Sequence, residues 1–309
     1  MGAHRGGTAG RRLRAAAAAA ALSALCSCGV VAENATTSMP TSFSTAAAQD
    51  STMAVTAPAD DSRTRHLNPV YWLGRNGSDI QLYREFLPSE HSADPIGEAV
   101  AAMTRQVPLD SDYFTPWQPA EKVSASISGR NVITVDISSD AFKAPLDAGV
   151  AHRAVQQLVY TATAAAHNAG LTTYGQESSV VVLVDGKAGY LAFGHERLDG
   201  ALTRDPSLTA PIWIIEPRHG DTFSGTVKVS GTAVSHGGPL AWRVDRLGAD
   251  GKPDTKPAAE GLADLDAETG DTGSFSFDVD LPPGDYELRV HHGDDGTNED
   301  SKLLRVEDG

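Results

Sequence analysis

The sequence predicts a mixed α+β domain followed by an all-β sandwich domain. Over residues 69–197, segments of alternating apolar residues are interleaved with two segments in which apolar residues recur at helical spacing. Over residues 211–309 no helical period remains, and short apolar runs recur at the rhythm typical of a sandwich. A basic, alanine-rich leader and a polar stretch precede both domains.

Two β-hairpins are predicted in the first domain. The first joins residues 70–73 to residues 80–87 through Asn76-Gly77, a strong signal for a tight turn. The second lies within residues 123–137, where apolar residues alternate with polar ones on both sides of the turn at residues 129–131. Each hairpin is therefore expected to bury one face.

Two amphipathic helices and a central strand complete this domain. The first helix follows Asp94-Pro95, which supplies an N-cap and a first-turn proline, and ends before Pro108. The second covers about residues 148–168, with Gly170 as its C-cap. Residues 180–184 (VVVLV) lack polar alternation, which is typical of a strand covered on both faces. The predicted order over residues 69–197 is ββαββαβ.

A polar, breaker-rich segment at residues 198–210 predicts a linker to the second domain. Residues 211–309 contain six or seven short apolar runs, which predict an immunoglobulin-like sandwich without its disulfide. Tyr286 follows Pro-Gly-Asp at the start of a run and resembles a tyrosine corner, whose hydroxyl bonds to upstream backbone. Plain core packing is the favoured interpretation for Tyr286 and for Trp242.

The N-terminus carries the features of an export signal. Four arginines and no acidic residue precede residues 15–25, an apolar run too short to span a bilayer. Cys26 and Cys28 are the only cysteines of the sequence. A disulfide between them would close a ring too small to restrain a fold, and two cysteines fall two ligands short of a zinc site.

Residues 25–28 (LCSC) resemble the lipobox of bacterial lipoproteins. By this resemblance residues 1–27 are the signal peptide, and Cys28 carries a thioether-linked diacylglycerol as the new N-terminus. The alternative is an ordinary signal that is cleaved after residues 30–32 and releases the protein. A lipid bilayer is the partner that the lipobox implies, at the extracytoplasmic face of a bacterial cell membrane.

Composition and charge suggest what surrounds the two domains. Residues 28–68 are expected to form the lipid anchor and a disordered tether, because they are rich in Ala, Ser and Thr and show no apolar period. Loss of the leader, with its four arginines, takes the net charge from −15 to −19. A body this acidic argues against nucleic acid as a partner.

The sequence offers no assembled catalytic or metal-binding motif. G-x-S-x-G, P-loop and G-x-G-x-x-G patterns are absent, so we expect no catalytic residues and no bound cofactor. His195-Glu196 begins like a zinc helix but lacks the second histidine. His291-His292 precedes residues 294–300 (DDGTNED), whose oxygens suggest calcium; a solvated turn is the favoured alternative, and we expect no metal.

Three aromatic residues have two interpretations. Trp72, Tyr83 and Trp117 could stack on a sugar, but aromatic residues near apolar runs usually belong to a core. We therefore expect all three to be buried.

Residues 70–193 resemble the GerMN domain, the GerM-type sporulation and germination module of bacterial envelope proteins. The residues that carry this resemblance are Val70-Tyr71-Trp72, Asp94-Pro95, residues 115–119 (TPWQP), residues 135–142 (VDISSDAF) and residues 156–163 (QQLVYTAT). The sequence departs from the family at residues 104–108 (TRQVP), where members often have a leucine pair and Gly-Pro.

Residues 211–308 resemble the immunoglobulin-like domain that accompanies GerMN. This resemblance rests on residues 216–223 (EPRHGDTF), 229–233 (VSGTA) and 284–288 (GDYEL).

Together the two resemblances imply a non-catalytic envelope lipoprotein that assembles or supports a protein complex, with an envelope protein as its partner. Homo-oligomers are a further expectation, because the domain is similar to ring-building modules. The alternative is an accessory lipoprotein that binds cell wall or a ligand. One version of this alternative links the protein to a sensor kinase. An enzyme would need an active-site cluster that the sequence does not show.

Overall fold

The computed structural model of the protein describes residues 66–89, 92–293 and 298–309. The predicted signal peptide, Cys28 and the tether up to residue 65 lie outside these ranges, as do residues 294–297 of the acidic turn. No helix within the ranges combines the length and the apolar character needed to cross a bilayer.

The first domain mixes helices and sheets, as predicted. Its elements are β1 (His66–Asn76), β2 (Asp79–Ser89), α1 (Pro95–Arg105), β3 (Tyr113–Phe114), β4 (Val123–Ile127), β5 (Val132–Ile137), α2 (Ala148–Asn168), β6 (Ser179–Val184), β7 (Tyr190–Ala192), β8 (Glu196–Leu198) and β9 (Ala201–Leu202). Short 3-10 helices occupy Ser139–Phe142 and Pro206–Leu208. The predicted ββαββαβ elements are all present, and β3, β7, β8 and β9 are additional.

Two main sheets organise this domain. β1 and β2 form a long antiparallel ribbon around the predicted Asn76-Gly77 turn, and β3 extends it in the order β2-β1-β3. The second sheet has the order β4-β5-β6-β9. In this sheet β5 and β6 are parallel, and α2 is the crossover between them.

The helices begin and end where the sequence indicates. Asp94 caps α1 by accepting a hydrogen bond from the amide of Gly97 at 2.7 Å, and Asp147 caps α2 through Val150 at 3.0 Å. Gly170 has a φ of +68° directly after α2, the conformation that ends a helix.

α2 is buried over most of its surface because it packs between two apolar clusters. Leu158 and Val159 lie in the main core of the domain. Tyr160 and Ala164 join Tyr71 and Leu82 in a second cluster on the other face of the ribbon. The many alanines of α2 allow this close approach on several sides.

The segment expected to be a linker, residues 198–210, contains regular structure instead. β9 pairs with β6, and the amide of Ala210 donates to the carbonyl of Leu82 at 3.0 Å. Tyr160 donates its hydroxyl to the carbonyl of Asp205 at 2.9 Å. Asp205, in the middle of the expected linker, is thus hydrogen-bonded to α2.

The second domain consists of two β-sheets. Its strands are β10 (Ile212–Glu216), β11 (Asp221–Ser224), β12 (Thr226–Val234), β13 (Leu240–Arg246), β14 (Ala259–Ala263), β15 (Thr272–Asp280), β16 (Gly284–His291) and β17 (Glu299–Glu307). One sheet has the order β10-β12-β15 and the other the order β11-β17-β16-β13-β14. The immunoglobulin-like sandwich prediction is confirmed, with β11 and β14 as strands that the apolar pattern did not indicate.

Tyr286 has both the core packing that was favoured for it and the hydrogen bond of a tyrosine corner. The buried Tyr286 donates its hydroxyl to the carbonyl of Pro282 at 2.6 Å. Trp242 is partly buried and stacks on Phe277, with ring centres 4.5 Å apart. Both residues therefore have packing roles.

Candidate functional site

A cluster of charged side chains lies buried where the two domains meet. Asp110 and Tyr113 come from the segment between α1 and β4, whereas Asp300 and Lys302 come from β17. The exposed fractions are 1% for Asp110, 7% for Tyr113, and 4% for both Asp300 and Lys302. We call these four residues the junction cluster.

Lys302 is the centre of the junction cluster. Its Nζ donates to Asp110 Oδ2 at 2.7 Å, to Asp300 Oδ1 at 3.0 Å and to the Tyr113 hydroxyl at 2.6 Å. Because an ammonium group has three protons, these contacts use its full donor capacity. The Tyr113 hydroxyl in turn donates to Asp300 Oδ1 at 2.9 Å.

Backbone amides satisfy the remaining carboxylate oxygens of the cluster. Ile214, in β10, donates its amide to Asp300 Oδ2 at 2.7 Å. Asp112 donates its amide to Asp110 Oδ1 at 3.0 Å. A buried charge is tolerated when it is paired and hydrogen-bonded in this way.

The local sequence of β17 explains how two charged residues reach the interior. The strand alternates, and Asp300, Lys302, Leu304 and Val306 all occupy inward positions. Leu304 and Val306 enter the sandwich core, whereas Asp300 and Lys302 meet the first domain. One face of β17 therefore serves both the core and the junction.

Burial and pairing shift the pKa values of the junction cluster. Burial alone would raise the pKa of Asp110, but its contact with His219 and the charge of Lys302 hold that pKa at about 2. Burial raises the pKa of Asp300 against the opposing charge of Lys302. Burial disfavours the Lys302 cation, yet the two carboxylates hold its pKa above the ordinary value.

Tyr113 stays a neutral phenol in this setting. Burial, followed by the charges of Asp300 and Asp110, raises its pKa well above the ordinary value. Its ring stacks on Tyr83 with centres 4.6 Å apart, and Lys302 Nζ lies 4.6 Å from its ring centre. The hydroxyl can therefore act as a donor to Asp300 throughout the neutral pH range.

Further contacts surround the junction cluster. Glu85 accepts from the amides of Leu109 and Asp110 at 2.9 and 2.8 Å, which positions the segment that carries Asp110. His219 Nδ1 lies 3.3 Å from Asp110 Oδ2. On the other side, Trp213 donates its ring nitrogen to the carbonyl of Arg84 at 3.0 Å. Both sheets of the sandwich thus contact the first domain, β10 through Trp213 and β17 through the junction cluster.

The chemistry of the junction cluster is that of a connection between domains. Its ammonium protons and carboxylate oxygens are engaged by protein groups, and its side chains are at most 7% exposed. Association of the domains through such a cluster fixes their register, because each carboxylate must meet its donors.

The described histidines that the sequence suggested for metal binding contact other groups, and residues 294–297 of the suggested calcium loop lie outside the described ranges. His195 Nε2 lies 3.0 Å from the carbonyl of Leu146, and Glu196 lies 3.6 Å from His152. His292 stacks on the His236 ring with centres 4.0 Å apart. Across the described ranges, no group of three or more His, Cys, Asp or Glu side chains has the geometry to hold a metal ion.

Other sequence predictions have mixed outcomes. Trp72, Tyr83 and Trp117 are buried in the main core, as expected. The lipidation site Cys28 lies outside the described residues and stays a prediction. The sequence analysis did not predict the junction cluster. The alternation of β17 places Asp300 and Lys302 on the same buried face as Leu304, and this pattern could have indicated it.

Two family models match this chain. Residues 69–189 match Germane, described as sporulation and spore germination, and residues 211–299 match Gmad2, the immunoglobulin-like domain of bacterial spore germination. Neither family is known for catalytic activity. No curated protein matches the chain.

Solved structures of the sporulation protein GerM from Bacillus subtilis are similar to this chain. The tandem GerMN domains match with 20% identity and a TM-score of 0.36, covering 50% of this chain and 51% of that one. The first GerMN domain matches with 15% identity and a TM-score of 0.35, covering 45% of this chain and 97% of that one. The chain thus spans about half the length of the tandem-domain structure.

Proposed function

We propose that this chain, which carries a GerMN-like domain followed by a Gmad2-type immunoglobulin-like domain, is a non-catalytic, lipid-anchored protein of the bacterial cell envelope. A lipid on Cys28 and a tether over residues 28–68 hold the two domains at the extracytoplasmic face of the cell membrane. There they present surfaces for the assembly or support of a protein complex.

The observation that carries this proposal is the junction cluster. Because Lys302 joins carboxylates from both domains, a partner meets a fixed combination of two domains. A fixed composite surface loses little conformational freedom on binding, which favours a stable complex. The pairing of two domain types from sporulation and germination proteins supports the same role.

Edge strands offer the docking surfaces. β4 ends the four-stranded sheet and β14 ends the five-stranded sheet. Ser124 and Ser126 of β4 are exposed, and Leu262 of β14 is 69% exposed. An edge strand has backbone groups without a strand partner, and these accept an added strand from a partner or from a second copy of this chain. On β4 one of these groups, the amide of Ala125, already donates to Asp94 Oδ2 at 2.7 Å, so β14 is the more open edge.

Site-specific photo-crosslinking in living cells tests this role. A photoreactive residue at Ser126 or Leu262 is expected to capture one defined envelope protein, or a second copy of the chain. The same residue at Lys252, an exposed position in the loop between β13 and β14, is the matched control and should capture none. Equal capture at all three positions would contradict the proposal.

A second role, as an accessory protein that binds cell wall or a ligand, is favoured by an open cavity beside residues 172–178. Retention of the purified protein on cell-wall material, with no protein captured at β4 or β14, would favour this role over complex assembly.

A further inference from the structure

We propose that the cavity beside the C-terminal end of α2 binds a small ligand through a carboxylate or phosphate group. The cavity has a volume of about 610 Å³, within the usual range for small-molecule sites. Arg84 and Arg204 line it, together with Phe86, Thr163 and Tyr174. This inference goes beyond the assembly role and names a ligand class for the second role.

Aromatic rings flank both arginines, and a hydroxyl group also holds Arg204. The guanidinium carbon of Arg84 lies 4.3 Å from the ring centre of Trp213 and 5.1 Å from that of Phe86. Arg204 donates its Nε to Thr163 Oγ1 at 2.7 Å and lies 4.6 Å from the ring centre of Tyr160. Guanidinium groups that are fixed on aromatic faces lose little freedom when an anion binds.

Neither arginine has an acidic partner among the described residues. Within the ranges that the structure describes, no carboxylate oxygen lies within 4.0 Å of either guanidinium, whereas Arg243, Arg289 and Arg305 each pair with one. Arg84 Nε is also buried without a hydrogen-bond acceptor. In a sequence with 40 acidic and 25 basic residues, two neighbouring arginines that pair with no described carboxylate form a candidate site for an anion.

The two cations also affect each other. Burial lowers the pKa of Arg84; Tyr71 opposes this shift, and the charge of Arg204 adds to it. A bound oxyanion between them would relieve this repulsion.

The opposite wall of the cavity is a loop that one side chain organises. Asn131 donates its Nδ2 to the carbonyls of Thr173 and Gln176 at 3.0 and 2.9 Å, and it accepts from the amide of Thr173 at 2.8 Å. Tyr174 projects from this loop with its side chain fully exposed. An apolar ligand body can contact Tyr174 while its anionic group reaches the arginines.

One acidic residue limits the charge that the cavity accepts. Glu177 lines the same cavity, and its charge opposes binding of an anion. We therefore expect Glu177→Gln to tighten binding, opposite to the effect of removing an arginine.

Isothermal titration calorimetry of the purified chain at constant ionic strength tests the site. The probes are inorganic phosphate, glycerol 3-phosphate and N-acetylalanine, with glycerol as the uncharged control. We expect one-to-one binding of at least one anionic probe and none of glycerol. Preference for the phosphates or for N-acetylalanine distinguishes the two oxyanion types.

Substitutions locate the binding. Arg84→Gln and Arg204→Gln should each weaken it about tenfold or more, since each removes a charge-assisted hydrogen bond. Arg153→Gln is the matched control with unchanged affinity, because Arg153 donates to the carbonyls of Ile80 and Gly149 and does not line the cavity. Arg204→Lys replaces Arg204→Gln if the latter fails to fold. It keeps the positive charge, so we expect a smaller loss of affinity.

Absence of binding by all three anionic probes at about 10 mM, or equal affinity in wild type and both arginine variants, would overturn the inference. Photo-crosslinking at Ser126 and Leu262 is repeated in the arginine variants. Retained capture with lost anion binding separates this site from the assembly role.

Discussion

Replacement of Lys302 by methionine tests the junction cluster most sharply. At an effective dielectric of about 20, each attraction between Lys302 and its two carboxylates is worth about 6 kcal/mol before desolvation is counted. Desolvation of the three ions offsets much of this gain. Removal of the ammonium group leaves Asp110 and Asp300 buried without a cation, which costs about 3–5 kcal/mol in comparable cases.

Urea unfolding, followed by tryptophan fluorescence and circular dichroism, measures this loss. For a protein of this size a cost of 3–5 kcal/mol lowers Tm by about 10 °C. Loss of the junction should also split unfolding into two transitions, since each domain has its own apolar core. Wild type is expected to unfold with the two domains coupled.

Two controls separate charge from packing. Lys252→Met removes a lysine whose side chain is 81% exposed, and we expect a change within about 0.5 kcal/mol. The triple variant Lys302→Met, Asp110→Asn, Asp300→Asn removes all three charges and should regain part of the lost stability. A Lys302→Met protein within about 1 kcal/mol of wild type, or a triple variant no more stable than Lys302→Met, would refute the reasoning.

Three further predictions follow from the described residues. The free energy of unfolding should fall as pH rises above about 10. The pKa values of Lys302 and Tyr113 are raised from 10.5 and 10.0 in the folded state, which therefore keeps protons that the unfolded state releases. Urea midpoints at neutral and alkaline pH measure this change, and a rise in stability at alkaline pH would contradict the assigned directions. Tyr286→Phe should cost about 1 kcal/mol, through loss of the hydrogen bond to Pro282, and an unchanged urea midpoint would show that packing alone is its role. Gly231→Ala should lower the free energy of unfolding by about 1–3 kcal/mol, since the added Cβ would clash with the Trp213 carbonyl oxygen. Gly129→Ala is the control, because a Cβ at Gly129 meets open space. Equal thermal stability of the two variants would be the contrary result.

The two-domain fold could be predicted from the sequence because its signals are local. Asn76-Gly77 marks the first hairpin, and the caps at Asp94 and Asp147 begin the helices. Each signal depends on residues within a few positions of one another. β9 and the short 3-10 helix at Pro206–Leu208 could not be predicted in this way, because packing against α2 and β6 stabilises them.

The two candidate sites depend on contacts that are distant in sequence. Asp110 and Lys302 are separated by 192 positions, and the sequence around either residue does not predict the other as its partner. The cavity brings Arg84 together with Arg204, and their lack of an acidic partner among the described residues can be recognised only from the folded structure. The local signal for the junction cluster was the position of Lys302 on the buried face of β17.

Mass spectrometry of the mature polypeptide from bacterial membranes tests the central claim, that the two domains are displayed at the envelope by a lipid. The account predicts an N-terminal Cys28 that carries a thioether-linked diacylglycerol, and a Cys28→Ala protein that leaves the membrane fraction. An unmodified N-terminus beyond position 28, or a Cys28→Ala protein that stays in the membrane fraction, would contradict it.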